Sequence, residues 1–292
     1  MTKQEILDKL KFDMELRNRS THTIHDYIRR VQCFQDYFNR PADQMREPEI
    51  AEYLHHLLHT QNIAASSVNT YNSSIRFVYA YTLDINLNLK KIPRVKAPRK
   101  IPNLPDKAEI AKIFDCAPSL MYRAIFMTIY GSGLRISEAS NLRIQDIDSK
   151  NMRIFVNQGK GSKDRYTLLP TETLNILRTY YKQYRPKEWL FWTRNMTPMS
   201  VKAIQDAWKS AVEKSGINKS VTVHTLRACF ATHLLESGVN LIVIKQLLGH
   251  VKLDTTAWYM DLARSEVLKT KSPIDSMPKK RGRKPNRNAA NV

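Results

Sequence analysis

Apolar residues recur at helical spacing in four stretches near the start of the chain. The first stretch follows Thr2 and Glu5, whose spacing matches a capping box at a helix N-terminus. Three further helices are predicted after Thr21 or Thr23, over residues 49–58 and over residues 66–81. These stretches predict a small, all-helical domain over residues 1–88.

The pattern changes at residues 89–105, which read LKKIPRVKAPRKIPNLP. Four prolines exclude a regular helix and six basic residues repel one another, so we expect an extended linker. Such a segment is either a simple spacer or a basic tether that lies along a duplex.

A second region, residues 106–270, mixes helical periodicity with one predicted hairpin. Asp106 is the expected cap of its first helix, and a glycine-containing run at 131–133 interrupts the next helix before LRISEASNL. The runs MRIFVN and RYTLLP predict two strands around a glycine-containing turn, and a further short strand is expected over residues 189–192. The chain is therefore expected to be mainly α with a small β-sheet.

Polar side chains able to bind a phosphate gather near the end of this region. The run HTLRACFATHLL places His224 and Arg227 three residues apart, on one face of a helix. The run LLGH ends a short helix at Gly249 and leaves His250 just beyond it. Tyr259 lies on a last predicted helix, so we expect the core to bring these groups into one cleft.

Two earlier motifs add charge of the same kind. Arg135 follows the glycine-containing break and Glu138 follows three residues later. The pair is either an ordinary surface ion pair or a carboxylate that braces a phosphate-binding guanidinium, and the helix N-terminus favours the second interpretation. Lys160 lies in the turn of the predicted hairpin, which is either a solvated basic turn or a finger that delivers an ammonium group into a groove.

The composition is typical of a folded protein outside the secreted and membrane classes. With 292 residues, 42% of them hydrophobic and 25% charged, two domains are the default expectation. No apolar run reaches the roughly 18 residues of a membrane span, and the N-terminus lacks the apolar region of a signal peptide. Three widely spaced cysteines match neither a disulfide framework nor a zinc site, so we expect a cytoplasmic protein.

The formal net charge of +20 changes the functional picture most. Such an excess opposes the compact state unless a polyanion neutralises it, and nucleic acid is favoured over an anionic membrane surface. Phosphate contacts are predicted at the basic positions Arg17, Arg19, Arg29, Arg30, Arg76, Lys163 and Arg165. A solvated surface charge is the alternative for each of them taken singly.

Together the motifs resemble the tyrosine recombinase (phage integrase) family and are most similar to its Xer-like bacterial branch. The resemblance rests on GSGLRISEASNL, GKGSKDR, HTLR, LLGH and a tyrosine nine residues later, and it covers nearly the whole chain. It implies a SAM-like helical core-binding domain and a catalytic domain that form a C-shaped clamp on DNA. It also implies the catalytic set Arg135, Lys160, His224, Arg227, His250 and Tyr259. Ala228 and Asp261 stand where relatives often carry histidine, outside that set.

The implied reaction is DNA strand cleavage by the Tyr259 phenol, which forms a 3′-phosphotyrosyl bond and frees a 5′ hydroxyl. A phenol with an ordinary pKa near ~10 is a weak nucleophile, so arginines must stabilise the charge on the phosphate. Lys160 would protonate the leaving 5′ oxygen, and His224 is the expected acceptor of the tyrosyl proton. One phosphodiester replaces another, so no ATP is expected, and the lack of a carboxylate cluster predicts no metal or other cofactor.

The resemblance also implies partners: a homotetramer on two double-stranded DNA sites, with accessory DNA-bending proteins as further candidates. Residues 271–292 are expected to be a disordered basic tail. Their RGRKP run resembles an arm that enters the minor groove, and a nonspecific polybasic tail is the alternative.

The biological role is open at this stage. The basic tail favours integration, excision or transposition of a mobile element over the resolution of chromosome or plasmid dimers. Two other classes also remain: a type IB topoisomerase-like enzyme, which shares the chemistry, and a non-catalytic DNA-binding regulator.

Overall fold

The computed structural model describes residues 1–96, 103–159 and 163–249. These residues fall into two compact units, which divide between Lys100 and Ile101. Each unit has its own hydrophobic core. Within the described ranges, no helix is both long and apolar enough to cross a lipid bilayer.

The first unit is helical, as the spacing of its apolar residues predicts. Its α-helices are α1 (Lys3–Leu16), α2 (Thr21–Phe38), α3 (Glu47–His55) and α4 (Ala65–Phe77). Both α3 and α4 continue into one π-helical turn, at His56–Thr60 and Val78–Thr82.

Local side chains set the helix ends in this unit. The predicted capping box is present, because Thr2 accepts from the Glu5 backbone N–H and the Glu5 carboxylate accepts from that of Thr2. Ser20 caps α2, whose end is formed by Asn39 in the left-handed conformation. The buried Tyr79 hydroxyl donates to the carbonyls of Ala42 and Met45 and thereby joins the end of α4 to the loop before α3.

The first part of the predicted linker has neither helix nor strand, but it is bound to α4. The Asn69 side chain donates to the Val95 carbonyl at 2.8 Å and accepts from the Val95 N–H at 2.9 Å. Arg76 donates to the Ile92 carbonyl at 2.5 Å and to Asn72 at 2.8 Å, and Ile92 is buried. The chain is therefore held against the first unit as far as Val95, and Arg76 faces this segment.

The second unit combines helices with one small sheet. Its helices are α5 (Lys107–Asp115), α6 (Leu120–Ser132), α7 (Ile136–Ser140), α8 (Thr171–Tyr184), α9 (Val201–Ser215), α10 (Val223–Glu236) and α11 (Leu241–Leu248). Its strands are β1 (Ile147–Asp148), β2 (Arg153–Gly159) and β3 (Lys163–Leu168), antiparallel in the order β1-β2-β3. The predicted fold class, mainly α with a small sheet, is confirmed.

The predicted hairpin is present as β2 and β3, with Val156 opposite Arg165 and Ile154 opposite Thr167. The prediction of a strand over residues 189–192 was wrong. Trp189 and Trp192 each make only an isolated bridge, to Arg143 and Pro198, because no neighbouring chain runs alongside for longer.

Helix α6 lies at the centre of the second core, and this position explains how α10 is placed. Phe126 of α6 packs edge-on against Trp208 of α9, with ring centroids 4.9 Å apart. The Trp208 indole N–H donates to the Val221 carbonyl at 3.1 Å, two residues before α10 begins. Helix α10 packs against α6, and Arg227 on α10 donates to the carbonyl of Gly133, the residue that follows α6.

Candidate active site

A tight turn after α6 positions Arg135. Gly133 ends α6 with φ +62°, a conformation that glycine adopts without strain. A side chain at this position would collide with the ring of Phe230 on α10. The chain therefore reverses beside α10, and Arg135 becomes the residue that precedes α7.

The predicted pair between Arg135 and Glu138 is present. The Arg135 guanidinium donates from Nη1 to Glu138 Oε1 at 2.6 Å, and the Arg135 backbone N–H donates to Oε2 at 2.8 Å. The Glu138 side chain is only 6% exposed. The carboxylate is thus a buried brace, not one half of a surface ion pair.

A second arginine binds the same carboxylate. Arg165 on β3 donates from Nη1 to Glu138 Oε1 at 2.9 Å and from Nη2 to Oε2 at 2.7 Å. Burial alone would raise the pKa of Glu138, but hydrogen bonds and charge from Arg165, together with those from Arg135, outweigh it and lower the pKa to about 2. Glu138 is therefore ionised at neutral pH.

Arg227 on α10 completes the cluster. Its Nη1 donates to the Gly133 carbonyl at 2.6 Å and its Nη2 to the Leu248 carbonyl at 2.5 Å. Nη1 also lies 3.8 Å from Glu138 Oε2, and the residue is 2% exposed. Three guanidinium groups thus surround one carboxylate, which leaves an excess of two positive charges at this point of the fold.

The end of α11 is fixed by two of these arginines. Arg165 Nε donates to the Leu247 carbonyl at 2.9 Å, and Arg227 binds the next carbonyl in the chain. Both carbonyls belong to the last turn of α11, where the helix dipole attracts cations. Gly249 closes the helix with φ +64°.

His224 lies in the first turn of α10, on the side of Arg227 and Arg135. The residue is exposed to solvent, although nearby protein atoms displace part of the water around its ring. This partial desolvation lowers the pKa of His224, and the charges of Arg227 and Arg135 lower it further. The imidazole is therefore neutral at pH 7 and has a nitrogen that can accept a proton.

The structure thus brings together Arg135, His224 and Arg227 of the predicted catalytic set, with Glu138 among them. The other three members, Lys160, His250 and Tyr259, lie outside the described residues, as does the basic tail from residue 271. The side chain of Lys163 is likewise outside the described part.

Sequence reasoning missed the position of Arg165, which it treated as an exposed DNA contact. Its side chain is 9% exposed and forms part of the buried cluster. The alternation along β3 could not show this, because its apolar residues Tyr166 and Leu168 face solvent, whereas Arg165 shares the inner face with the buried Thr167.

The predicted contacts of the first unit differ in their surroundings. Arg19 and Arg29 are exposed. Arg17 lies over the Tyr81 ring at 4.7 Å, and Arg30 donates to Asp26 at 3.1 Å. Arg76 is the exception, because it binds the linker backbone as described above.

Comparison with known proteins identifies the family. Residues 105–266 match the model described as "Phage integrase family", and residues 6–89 match "Phage integrase, N-terminal SAM-like domain". The chain belongs to the phage integrase family. The resemblance drawn from the sequence motifs is confirmed, and the chain is a tyrosine-type site-specific recombinase.

Individual integrase relatives agree with this assignment. A putative integrase/recombinase of Sinorhizobium fredii is 38% identical over 93% of this chain and 89% of its own. A tyrosine recombinase of Thermosipho africanus is 31% identical over 86% of this chain and 92% of its own. The fold also matches the crystal structure of a lambda integrase tetramer bound to a Holliday junction, with a TM-score of 0.75 and 18% identity over 90% of this chain and 78% of that one.

Proposed function

We propose that this recombinase cleaves and rejoins double-stranded DNA through a covalent bond between Tyr259 and the 3′ phosphate. The observation that carries the proposal is the buried cluster of three arginines around Glu138. A cluster with two excess positive charges in a site of low water content binds and stabilises a phosphodiester anion that gains charge as it reacts. The arginine cluster contains no nucleophile, and the spacing of the sequence motifs assigns this role to Tyr259.

Each residue of the set has one task in the proposed reaction. The phenolic oxygen of Tyr259 attacks the phosphorus, the bond from phosphorus to the 5′ oxygen breaks, and the phenolic proton passes to the neutral His224 imidazole. Arg135, Arg227 and His250 stabilise the non-bridging oxygens, and Lys160 protonates the leaving 5′ oxygen. A 5′ hydroxyl of another strand reverses the step and rejoins the DNA, so neither ATP nor a metal ion is consumed or required.

Several features support a role in moving a DNA element. Relatives named integrase/recombinase match over most of the chain, and the net charge of +20 suits a polyanionic partner. We propose that the protein works in the cytoplasm as a homotetramer on two DNA sites, for integration, excision or transposition, with accessory DNA-bending proteins where a site requires them. Residues 1–88 and 106–270 would bind DNA as core-binding and catalytic domains, joined by the linker 89–105 and followed by the basic tail 271–292.

A suicide substrate tests the chemistry directly. In a duplex nicked next to the cleavage site, the short strand that carries the freed 5′ hydroxyl dissociates after attack. Because the reverse step is then blocked, the covalent complex accumulates and is seen on a denaturing gel. Tyr259→Phe should abolish the adduct and keep DNA binding, whereas Tyr181→Phe, at an exposed tyrosine on α8, should form the adduct at the parent rate. An adduct that persists in Tyr259→Phe would contradict the proposal.

The proposed role needs a second assay. Two duplexes carrying the same site should exchange strands in the presence of the parent protein. Relaxation of supercoils without exchange would indicate a topoisomerase-like enzyme, and binding without any adduct would indicate a regulator.

A further inference from the structure

We propose that Arg165 is a positioning residue of this active site: it ties the last turn of α11 to Glu138 and so sets the point from which the chain continues to His250. The proposal rests on the function proposed above and adds a residue outside the six catalytic positions. It also replaces the DNA contact that the sequence predicted for Arg165.

The Arg165 guanidinium donates hydrogen bonds from all three of its nitrogens. Nη1 and Nη2 bind both oxygens of Glu138, and Nε binds the Leu247 carbonyl. Such a planar, two-point contact holds the group in one orientation, which a flexible lysine cannot reproduce. Its donors are thus directed to acceptors of the fold.

The contacts of Arg165 adjoin those of Arg135 and Arg227. Glu138 holds Arg135 through Oε1, and Arg165 binds the same atom. Arg227 donates to the Leu248 carbonyl, and Arg165 donates to the carbonyl of the preceding residue, Leu247. Arg165 therefore links the element that carries Arg135 to the helix end that precedes His250, and a shift of its side chain would move one relative to the other.

Gly249 lies close to the aliphatic part of the Arg165 side chain. A Cβ atom at this position would lie 2.7 Å from Cδ of Arg165, which is closer than van der Waals contact. The backbone there has φ +64°, which also disfavours a side chain. The close approach between the Arg165 stem and Gly249 is thus part of the same contact, and it can be disturbed from either side.

The connection extends to the hairpin through β3, the strand that carries Arg165. Residues 160–162, between β2 and β3, include Lys160. Arg165 is paired in register with Val156, whose side chain is buried in the core. The buried Val156 holds β2 in the core, and the pairing of β2 with β3 fixes the backbone from which the Arg165 side chain extends.

A double-mutant cycle tests the proposal with Arg165→Lys, Gly249→Ala and the double variant. The measurement is the single-turnover rate of adduct formation on the nicked duplex at saturating protein. The affinity for the same duplex and the melting temperature are measured in parallel. We expect each single variant to slow adduct formation roughly 10- to 100-fold, the size of effect that a small misplacement of reacting groups produces. Affinity should change by less than about threefold, and the double variant should be about as slow as the slower single one, because both changes break one contact.

Arg153→Lys on β2 is the matched control. Arg153 is also an arginine of this sheet paired to a carboxylate, with Nε 2.9 Å from Asp148, but it lies over the exposed Tyr166 ring. The control should form the adduct at the parent rate. Rates are compared below the melting transition of every variant, so that a lower melting temperature does not itself reduce the rate.

Three results would overturn the proposal: a parent-like rate in Arg165→Lys, a loss of affinity in step with the rate, or single effects that multiply in the double variant. The second result would restore Arg165 as a DNA contact, and the third would indicate two independent defects. None of them touches the proposed function, which fails if the parent forms no adduct or if Tyr259→Phe still forms one.

Discussion

Arg165 and Glu138 form a buried two-point ion pair, with N–O distances of 2.9 and 2.7 Å, across 27 residues of sequence. The Glu138 carboxylate also accepts a hydrogen bond from Arg135, and one of its oxygens lies 3.8 Å from Nη1 of Arg227. Because a single carboxylate orders three guanidinium groups, it is the residue on which the geometry of the cluster depends most.

Removing the charge of Glu138 should destabilise the protein strongly. In Glu138→Gln the buried Arg165 and Arg227 keep their charges but lose the carboxylate that compensates them. The loss of one partner from a buried ion pair costs about 3–5 kcal/mol. Urea unfolding of the parent and the variant measures this difference. Glu188→Gln is the control, because Glu188 is exposed and lies 3.7 Å from Arg143, so its loss should cost about 1 kcal/mol or less. Equal losses in the two variants would contradict the central role of Glu138.

The same carboxylate should make stability depend on pH in a defined window. Its pKa is about 2 in the folded protein and 4.5 when unperturbed, so its contribution is fully present above pH 4.5 and is lost as the pH falls toward 2. The advantage of the parent over Glu138→Gln should therefore shrink by about 3 kcal/mol between pH 5 and pH 2. Unfolding curves of both proteins at pH 5, 4 and 3 measure the trend, and taking their difference cancels the other carboxyl groups. A constant difference over this range would show that the pKa is not lowered.

His224 should titrate below its ordinary value of 6.5 in the free protein. Partial desolvation disfavours the imidazolium, and Arg227 and Arg135 repel it, so the pKa is lowered. The group therefore binds fewer protons in the folded than in the unfolded state near pH 6, and this contribution to stability increases as the pH rises through that window. Proton NMR of the imidazole resonances measures the pKa directly.

Arg135→Gln should raise the pKa of His224, because one of the two repelling charges is removed. The lowered pKa of His233, which arises from its own burial and not from Arg135, should be the same in the two proteins and serves as the internal control. A pKa of His224 that is unchanged by this substitution would mean that Arg135 does not act on the imidazole.

The attachment of the linker predicts a local effect in the first unit. Asn69→Ala removes both hydrogen bonds to Val95, each worth about 1 kcal/mol, and should speed hydrogen exchange at the Val95 amide by roughly tenfold or more. Thr70→Ala on the same helix is the control, because the Thr70 hydroxyl donates within α4, to the Ser67 carbonyl. Unchanged exchange at Val95 in Asn69→Ala would show that the segment is not held by this residue.

Much of the architecture follows from local chemistry that can be read along the chain. Thr2, Ser20, Asp106 and Ser200 cap helices because a side-chain oxygen accepts from a backbone N–H a few residues away. The hairpin and the pair formed by Arg135 and Glu138 are local in the same sense. The attachment of residues 92–95 to α4 could not be predicted, because Asn69 is 26 residues from Val95 and polar side chains of this kind also occur on exposed faces.

The sequence by itself determined the helical class of the two units, the family and the order of the motifs that carry the proposed chemistry. These depend on residue type and on spacings of a few positions, which constrain the chain before it folds. Only the tertiary structure decided that Arg165 faces inward, that Arg76 binds the linker and that one carboxylate orders three arginines. Arg165 lies 82 residues from Leu247, and the direction of a charged side chain over such a separation is set by packing, because burial is favourable only where partners from distant elements satisfy its donors.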